Sequence, residues 1–269
     1  MSPVSSRTMR ISSRLARASL LLTLVLLGTA ASALTSAAQL HVAVAANFLG
    51  TLQKLATAYQ GASADTLVAS GGASGQLYTQ IHQGAPFDLF FSADADRPAQ
   101  LEHDGLTVPG SRVTYAIGTL VLWSPKPGVI DRDAHMLRGE QLQHISIADP
   151  RAAPYGAAAQ QVMMALGIWD RLNAQQKIVV GQSITQAWQF AASGNATVAF
   201  VALSQVLGAD GRIAGSSWIP PQKLYAPIAQ DAVILKRTGE LAAAQSFVSW
   251  LRTSRAAAQI LHAAGYRSP

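Results

Sequence analysis

The stretch 68–81 carries the residues with the clearest potential for chemistry in this chain of 269 residues. It runs from an apolar segment through a loop, SGGASG at 70–75, into a segment where Leu77 and Ile81 recur at helical spacing. Ser74 is predicted to be the N-cap of that helix. The first N–H groups of a helix lack intrahelical partners, and the helix dipole adds positive potential there. The stretch therefore favours anion binding, with an ordinary Ser-capped helix as the alternative.

Three further helix starts have a similar character. Asn47, Tyr155 and Ile184 each head a predicted helix that follows an apolar strand, and their loops carry neutral donors with few charges. Hydrogen bonds to a charged acceptor contribute about 1.5 to 3 kcal/mol each, so neutral donors can hold a doubly charged oxyanion where water is excluded. The loops around Asn47, Ser74 and Ile184 lack Asp and Glu, which disfavours anions that keep a proton. Arg151 is a nearby cation that we expect to be solvated.

Other chemistries have little support in the sequence. The six His residues never recur at i,i+4, there is no Cys, and no nucleophile elbow, Walker or GxGxxG pattern is present. The enzymatic alternative is an exported hydrolase that uses Ser70 or Ser74 as nucleophile, with Asp88 and a distant His. Because no base is placed near either serine in sequence, we expect a protein without enzymatic activity, cofactor or direct metal ligands.

The elements that must position these loops alternate between strand and helix. Strands are predicted at 40–45, 66–69, 87–92, 145–148, 177–180 and 197–201, and helices at 49–59, 74–83, 157–166, 185–192, 240–253 and 254–264. Such alternation implies parallel sheets whose ligand-binding loops lie at the carboxyl ends of the strands. The long extended runs at 113–123 and 225–235 are suited to crossing between two domains.

The first 38 residues are predicted to be a signal peptide that is removed on export. A basic region precedes the apolar run 20–27, and small residues allow cleavage after Ala33 or Ala38. The alternative, a membrane anchor, is disfavoured because a spanning helix needs about 20 apolar residues. Without this segment the chain keeps 16 of its 20 Lys and Arg residues against 14 Asp and Glu, a net charge of +2. This small charge does not support a nucleic-acid partner.

Several motifs together closely resemble the periplasmic molybdate-binding proteins of ABC importers. They are AANF at 45–48, SGGASG at 70–75, GAPFDLFFSA at 84–93, ADP at 148–150 and GNA at 194–196. The resemblance covers residues 40–266 and implies an α/β, type II periplasmic-binding fold, in which two α/β lobes are joined by two crossing strands. We place lobe 1 at 39–119 and 231–269, and lobe 2 at 120–230.

The resemblance also implies four ligand positions. They are Asn47 through its side chain and backbone, Ser74 through its hydroxyl and backbone, Tyr155, and the backbone N–H of Ile184. Some family members donate to the anion from a Tyr at the place occupied here by Ala202. Tyr155 is then the alternative phenolic donor, and the sequence leaves open whether it offers its hydroxyl or only its backbone.

The function expected from these observations is capture of molybdate, and also tungstate, by a soluble periplasmic receptor. The expected partner is the membrane permease of a molybdate ABC importer, and the receptor is expected to be a monomer that does not bind nucleic acid. The alternative within this class is a receptor for sulfate or another tetrahedral oxyanion, because the sequence does not measure the size of the cavity.

Overall fold

A computed structural model describes residues 37–269, which form one compact unit with two mixed sheets. Residues 1–36 of the predicted signal peptide lie outside the described residues. The first sheet has the strand order β2-β1-β3-β10-β4. Its strands are β1 (Gln39–Ala45), β2 (Thr66–Gly72), β3 (Leu89–Phe91), β4 (Val113–Gly118) and β10 (Ile228–Ile234).

The second sheet has the strand order β7-β6-β8-β5-β9. Its strands are β5 (Leu120–Ser124), β6 (Ile145–Ala148), β7 (Ile178–Gly181), β8 (Val198–Ala202) and β9 (Ser216–Trp218). In each sheet the early strands pair in parallel, β1 with β2 and β3, and β6 with β7 and β8, while β10 and β5 run antiparallel to their neighbours.

Helices connect and cover the strands. They are α1 (Leu49–Tyr59), α2 (Ser74–His82), α3 (Asp96–His103), α4 (Pro154–Ala165), α5 (Trp169–Ala174), α6 (Ile184–Ala192), α7 (Leu203–Val206), α8 (Leu241–Thr253) and α9 (Arg255–Ala263), with short 3-10 turns at His135–Leu137 and Gln222–Leu224. Within the described range, no helix has the length and apolar character needed to cross a membrane. Helices α1, α2, α4 and α6 each follow a parallel strand, so their N-termini lie at strand carboxyl ends.

The chain crosses between the sheets with almost no linker. Strand β4 ends at Gly118 and β5 begins at Leu120, so Thr119 alone separates them, and the chain returns to the first sheet at β10. The boundary expected between residues 230 and 231 falls inside β10, where Ile228, Ala229 and Gln230 already pair with β4. Two α/β lobes joined by crossing segments are therefore present, as the sequence predicted.

An aromatic cluster fixes the end of β1. Phe48 is fully buried, and its ring lies 4.6 Å from that of Tyr115, 5.4 Å from Tyr266 and 5.8 Å from Phe91, measured between centroids. Aromatic pairs of this kind contribute about 0.5 to 1.5 kcal/mol each beyond their buried area. Because Asn47 precedes Phe48, this packing holds Asn47 at the edge of the first sheet.

Several elements differ from the sequence prediction. Strand β2 continues to Gly72, so Ser70 pairs with Ala43 and is a strand residue, not a turn residue. Helix α3 begins at Asp96, where no helix was predicted, and this acidic residue in its first turn favours the helix start. The unpredicted elements α5, α7 and β9 have six, four and three residues, too few for hydrophobic periodicity to identify.

Candidate oxyanion-binding site

The four predicted site residues line one small cavity between the two sheets, about 10 Å³ in volume. Asn47 and Ser74 reach it from the first sheet, and Tyr155 and Ile184 reach it from the second. The remaining lining residues are small or apolar: Ala45, Ala46, Gly72, Ala73, Ala93, Ala153 and Pro154. Neither an acidic nor a basic side chain is among these described lining residues, so any anion there would meet neutral dipoles.

Asn47 lies in the turn between β1 and α1 and is 4% exposed. The neighbouring N–H groups are used, since Ala46 donates to Gly72 and Phe48 donates to Ala45. The backbone N–H of Asn47 has no acceptor among residues 37–269. Its side-chain Nδ2 donates to Gln230 Oε1 at 2.9 Å and to Tyr266 Oη at 3.1 Å. Both amide hydrogens therefore bind protein groups, and the backbone N–H is the group left for a ligand.

Ser74 is not the N-cap that the sequence predicted. Ala73 occupies the cap position with extended backbone angles, and Ser74 is the first residue of α2. The Ser74 hydroxyl instead accepts a 2.9 Å hydrogen bond from the N–H of Ala93, in the loop after β3. The Ser74 hydroxyl thus provides the acceptor for the Ala93 N–H, a contact that the local sequence around Ser74 does not reveal. The hydroxyl hydrogen and the backbone N–H of Ser74 have no acceptor within the described chain.

Tyr155 is the second residue of α4 and follows Pro154, a residue suited to a first helical turn. Its backbone N–H has no acceptor within residues 37–269. Its hydroxyl accepts from Gln230 Nε2 at 3.3 Å and packs against Gly118, where any Cβ atom would collide with it. Burial raises the pKa of Tyr155 well above 10, so the phenol stays protonated. The hydroxyl thus lies beside the strand crossing.

Ile184 is the first residue of α6, and Ser183 caps this helix. The Ser183 hydroxyl accepts from the N–H of Gln186 at 3.3 Å, and the N–H of Gln182 donates to Gln186 Oε1 at 2.6 Å. These bonds use the N–H groups of Gln182 and Gln186, whereas the N–H of Ile184 has no acceptor in the described part of the chain. The capped helix start therefore presents one backbone donor to the cavity.

Two other positions that the sequence analysis considered lie outside the cavity lining. The Arg151 side chain is 92% exposed and pairs with Asp149, whose pKa is lowered mainly by a hydrogen bond from the Arg151 backbone. Ala202, fully buried in β8, lies outside the lining as well.

The hydrolase alternative receives no support from the contacts of its carboxylate. Asp88 accepts from the His41 N–H at 2.7 Å and from the Thr238 hydroxyl at 2.7 Å. The Ser74 hydroxyl has a different partner, the Ala93 N–H. Ser74 and Asp88 are therefore not connected by a hydrogen bond.

Contacts between the two sheets close the cavity. The Gly75 N–H donates to the Ala152 carbonyl at 2.8 Å, and Arg97 Nη2 donates to the Arg151 carbonyl at 3.0 Å. Arg97 also forms an ion pair with Asp94. On another side of the cavity, the Ser204 hydroxyl donates to the Asn47 carbonyl at 2.9 Å. The first two bonds tie the first turn of α2 and the start of α3 to the loop before α4, and the last ties α7 to the turn after β1.

Sequence reasoning missed the polar residues behind the cavity. Gln230, Tyr266, Tyr115 and Ser204 all bond to Asn47 or to one another, although they are far from it in sequence. Burial raises the pKa of Tyr115 well above 10 and that of Tyr266 to about 12. Gln230, a polar residue in the otherwise apolar first half of β10, is the signal that the sequence offered.

A cavity at the carboxyl ends of parallel strands from two lobes, with two crossings between them, defines a two-lobed solute-binding protein. Residues 40–267 match the family model described as bacterial extracellular solute-binding protein. The molybdate-binding protein ModA of Rhodobacter capsulatus is 48% identical over 231 residues, which cover 86% of this chain and 89% of that protein. ModA of Azotobacter vinelandii is 46% identical over 231 residues, covering 86% and 90%.

The solved structure of the Azotobacter vinelandii periplasmic molybdate-binding protein superposes with a TM-score of 0.84 at 48% identity, covering 86% of this chain and 99% of that one. The chain belongs to the bacterial extracellular solute-binding proteins and, within them, to the group that contains these two ModA relatives.

Proposed function

We propose that this chain is a periplasmic receptor that captures molybdate between its two lobes and delivers it to the membrane permease of an ABC importer. One observation carries the proposal: Asn47, Ser74, Tyr155 and Ile184 each have a backbone N–H without a partner among residues 37–269, and they surround one cavity with no charged side chain in its described lining. The relatives named as molybdate-binding proteins support the choice of anion.

Neutral donors suffice for a dianion in this setting. Each hydrogen bond to a charged acceptor contributes about 1.5 to 3 kcal/mol, and helix N-termini add favourable potential. Ser74 adds a hydroxyl hydrogen to the backbone donors, because its oxygen already accepts from Ala93. No carboxylate lines the cavity within the described residues. A protonated oxyanion would therefore lack an acceptor for its proton, and a fully ionised tetrahedral anion is favoured.

The two lobes lie close together around the small cavity, through the contacts from Gly75 to Ala152 and from Ser204 to Asn47. We expect the anion to enter while the lobes are apart, and the lobes to close over it about the crossing at Thr119. The permease is expected to recognise the anion-bound arrangement of the lobes.

The proposal extends to several finer points. Tungstate has the same shape and charge as molybdate and is expected to bind as well. The receptor is expected to act as a monomer in the periplasm, without a cofactor and without catalysing a reaction. Sulfate, a smaller tetrahedral dianion, is the competing ligand within the same class.

Isothermal titration of the purified protein with molybdate, tungstate, sulfate and phosphate tests the proposal. We expect one molybdate or tungstate per chain and binding of sulfate and phosphate weaker by about 100-fold or more, equivalent to about 2.7 kcal/mol. Sulfate binding as tight as that of molybdate would replace this proposal by a sulfate receptor. Elemental analysis for copurified molybdenum gives an independent measurement, and turnover of an ester substrate would support the hydrolase alternative.

A further inference from the structure

The side-chain amide of Gln230 connects cavity residues that belong to opposite lobes. Gln230 is fully buried in β10. Its Oε1 accepts from Asn47 Nδ2 at 2.9 Å and from Tyr115 Oη at 3.0 Å, while its Nε2 donates to Tyr155 Oη at 3.3 Å. Asn47 follows β1 of the first sheet, and Tyr155 opens α4 beside the second sheet. One side chain therefore contacts both halves of the candidate site.

The amide of Asn47 is turned unfavourably for an anion. Its Nδ2 donates to Gln230 and to Tyr266, whereas its Oδ1 accepts from no donor among residues 37–269, although the residue lines the cavity. A carbonyl oxygen repels an oxyanion, and an amide N–H attracts one. Binding through the Asn47 side chain therefore needs this amide to rotate by half a turn.

The surrounding network allows that rotation only if Gln230 rotates too. The two ends of a carboxamide are nearly equal in size, so half a turn exchanges donor and acceptor without displacing neighbours. After both amides turn, Asn47 Oδ1 accepts from Gln230 Nε2 and from Tyr266 Oη, which gives up its 2.9 Å bond to the Asn47 carbonyl, and that carbonyl keeps its bond from the Ser204 hydroxyl. Gln230 Oε1 then accepts from the hydroxyl of Tyr155, and Tyr115 keeps its 3.0 Å bond to the Ser92 carbonyl. Every buried group then retains a hydrogen-bond partner. If only one of the two amides rotated, two donors or two acceptors would face each other.

We propose that Gln230 is a positioning residue of the anion site, which rotates together with Asn47 and thereby directs Asn47 Nδ2 toward the bound oxyanion. This inference rests on the proposed function, because it requires an anion in the cavity. The Tyr155 hydroxyl then donates to Gln230 Oε1, and Tyr155 contributes its backbone N–H to the anion.

The phenols around Gln230 do not titrate near neutral pH. The three phenols of Tyr115, Tyr155 and Tyr266 have raised pKa values because they are buried. The nearest carboxylates on adjoining segments are both in ion pairs, Asp94 with Arg97 and Asp231 with Arg112. A new acid at position 230 would therefore be the group that responds to pH in this network.

The test is the near-isosteric substitution Gln230→Glu, with molybdate affinity measured by isothermal titration at about pH 8.5 and about pH 5.5. An ionised Glu accepts but does not donate, so it holds Asn47 Nδ2 and prevents the rotation. A buried carboxylate has a raised pKa, and its protonated form donates again. We expect affinity about 10- to 100-fold below wild type at the higher pH, with most of this loss recovered at the lower pH.

Two further comparisons separate this mechanism from simple charge repulsion or damage to the fold. In an Asn47→Ala background, Gln230→Glu should cost much less affinity, because the effect acts through Asn47. Gln230→Met, which cannot orient Asn47, should bind about 10-fold more weakly at both pH values. The control Gln53→Glu adds the same charge on the exposed face of α1 and should change neither affinity nor its pH dependence. Melting curves establish that each variant folds.

The results distinguish this inference from the proposed function. The positioning role is wrong if wild type binds molybdate and Gln230→Glu binds it equally well at about pH 8.5. It is also wrong if Gln230→Glu lowers the affinity as much in the Asn47→Ala background as in the wild-type background. Tyr155→Phe should change affinity by less than about fivefold, and a loss of about 100-fold would show direct donation from the phenol. If wild type does not bind molybdate, the proposed function itself fails.

Discussion

The backbone N–H of Gly75 donates a 2.8 Å hydrogen bond to the carbonyl oxygen of Ala152. This bond joins the first turn of α2, in one lobe, to the loop before α4, in the other. A Cβ atom on Gly75 would lie 3.1 Å from both the Cα and the carbonyl oxygen of Ala152, and 3.0 Å from Arg97 Nη2. A side chain at this position would therefore have to push the start of α2 and the loop before α4 apart by a few tenths of an ångström.

Substituting Gly75→Ala is expected to weaken molybdate binding by opposing lobe closure. Overpacking of this kind costs about 1 to 3 kcal/mol, which corresponds to about 5- to 150-fold in affinity. Titration calorimetry measures the effect. The matched control is Gly50→Ala on α1, where an added Cβ meets nothing within 4 Å, and it should leave affinity unchanged while stabilising the helix. Equal affinities for both variants would contradict a role of this contact in closure.

Substituting Ser74→Ala should remove one donor to the anion and leave the Ala93 N–H without its acceptor. We expect a loss of about 1 to 3 kcal/mol in binding free energy. The control is Ser70→Ala, since Ser70 is an exposed strand residue outside the cavity lining. Calorimetry on both variants checks the prediction, and an unchanged affinity for Ser74→Ala would remove Ser74 from the ligand set.

The buried phenol of Tyr266 predicts a specific loss of stability at alkaline pH. Its pKa is raised from 10.0 to about 12, chiefly by burial. The unfolded chain releases this proton at a lower pH than the folded chain does. The stabilisation of the fold by the neutral phenol is therefore complete below pH 10 and is lost as the pH rises toward 12. Tyr115 and Tyr155 act in the same direction. Urea denaturation across this range should show a falling free energy of unfolding.

Phenolate absorbance gives the complementary measurement. The signal of these buried tyrosines should appear together with loss of circular dichroism, because ionisation requires unfolding. The variant Tyr266→Phe should show a smaller decline in stability over the same pH range. Reversible ionisation of all the tyrosines in the folded protein would contradict their burial.

The start of the mature chain is a further prediction. Ala38 is buried, its N–H donates to Asp65 Oδ1 at 2.9 Å, and its carbonyl accepts from the Thr66 N–H at 2.8 Å. Cleavage after Ala38 would remove both bonds, whereas cleavage after Ala33 keeps them. We therefore expect the exported chain to begin at Leu34, as intact mass measurement would show.

A stability comparison tests the reason for this choice. A chain that begins at Gln39 should be less stable than one that begins at Leu34 by about 1 to 3 kcal/mol. Asp65→Ala in the longer chain should lower the free energy of unfolding by part of the same amount, because it removes one of the two bonds. Exported protein that begins at Gln39 would overturn the expected cleavage position.

The sequence by itself determined the fold class and four of the residues that line the cavity. Apolar runs and helical spacing are local properties, and they correctly predicted α1 at Leu49–Tyr59 and the strands that precede each ligand loop. Because parallel strands present their carboxyl ends at one edge, the loops at Asn47, Ser74, Tyr155 and Ile184 were expected to be functional. Family resemblance reached the same positions.

Tertiary structure alone decided how the side chains of those residues are used. The Ser74 hydroxyl bonds to a loop 19 residues away, and Asn47 bonds to Gln230 and Tyr266 at separations of 183 and 219 residues. A hydrogen bond depends on the distance and direction between two atoms, and propensity and periodicity carry no such information for residues this far apart. The orientation of Asn47, and the partner of the Tyr155 hydroxyl, therefore followed only from the packed arrangement of both lobes.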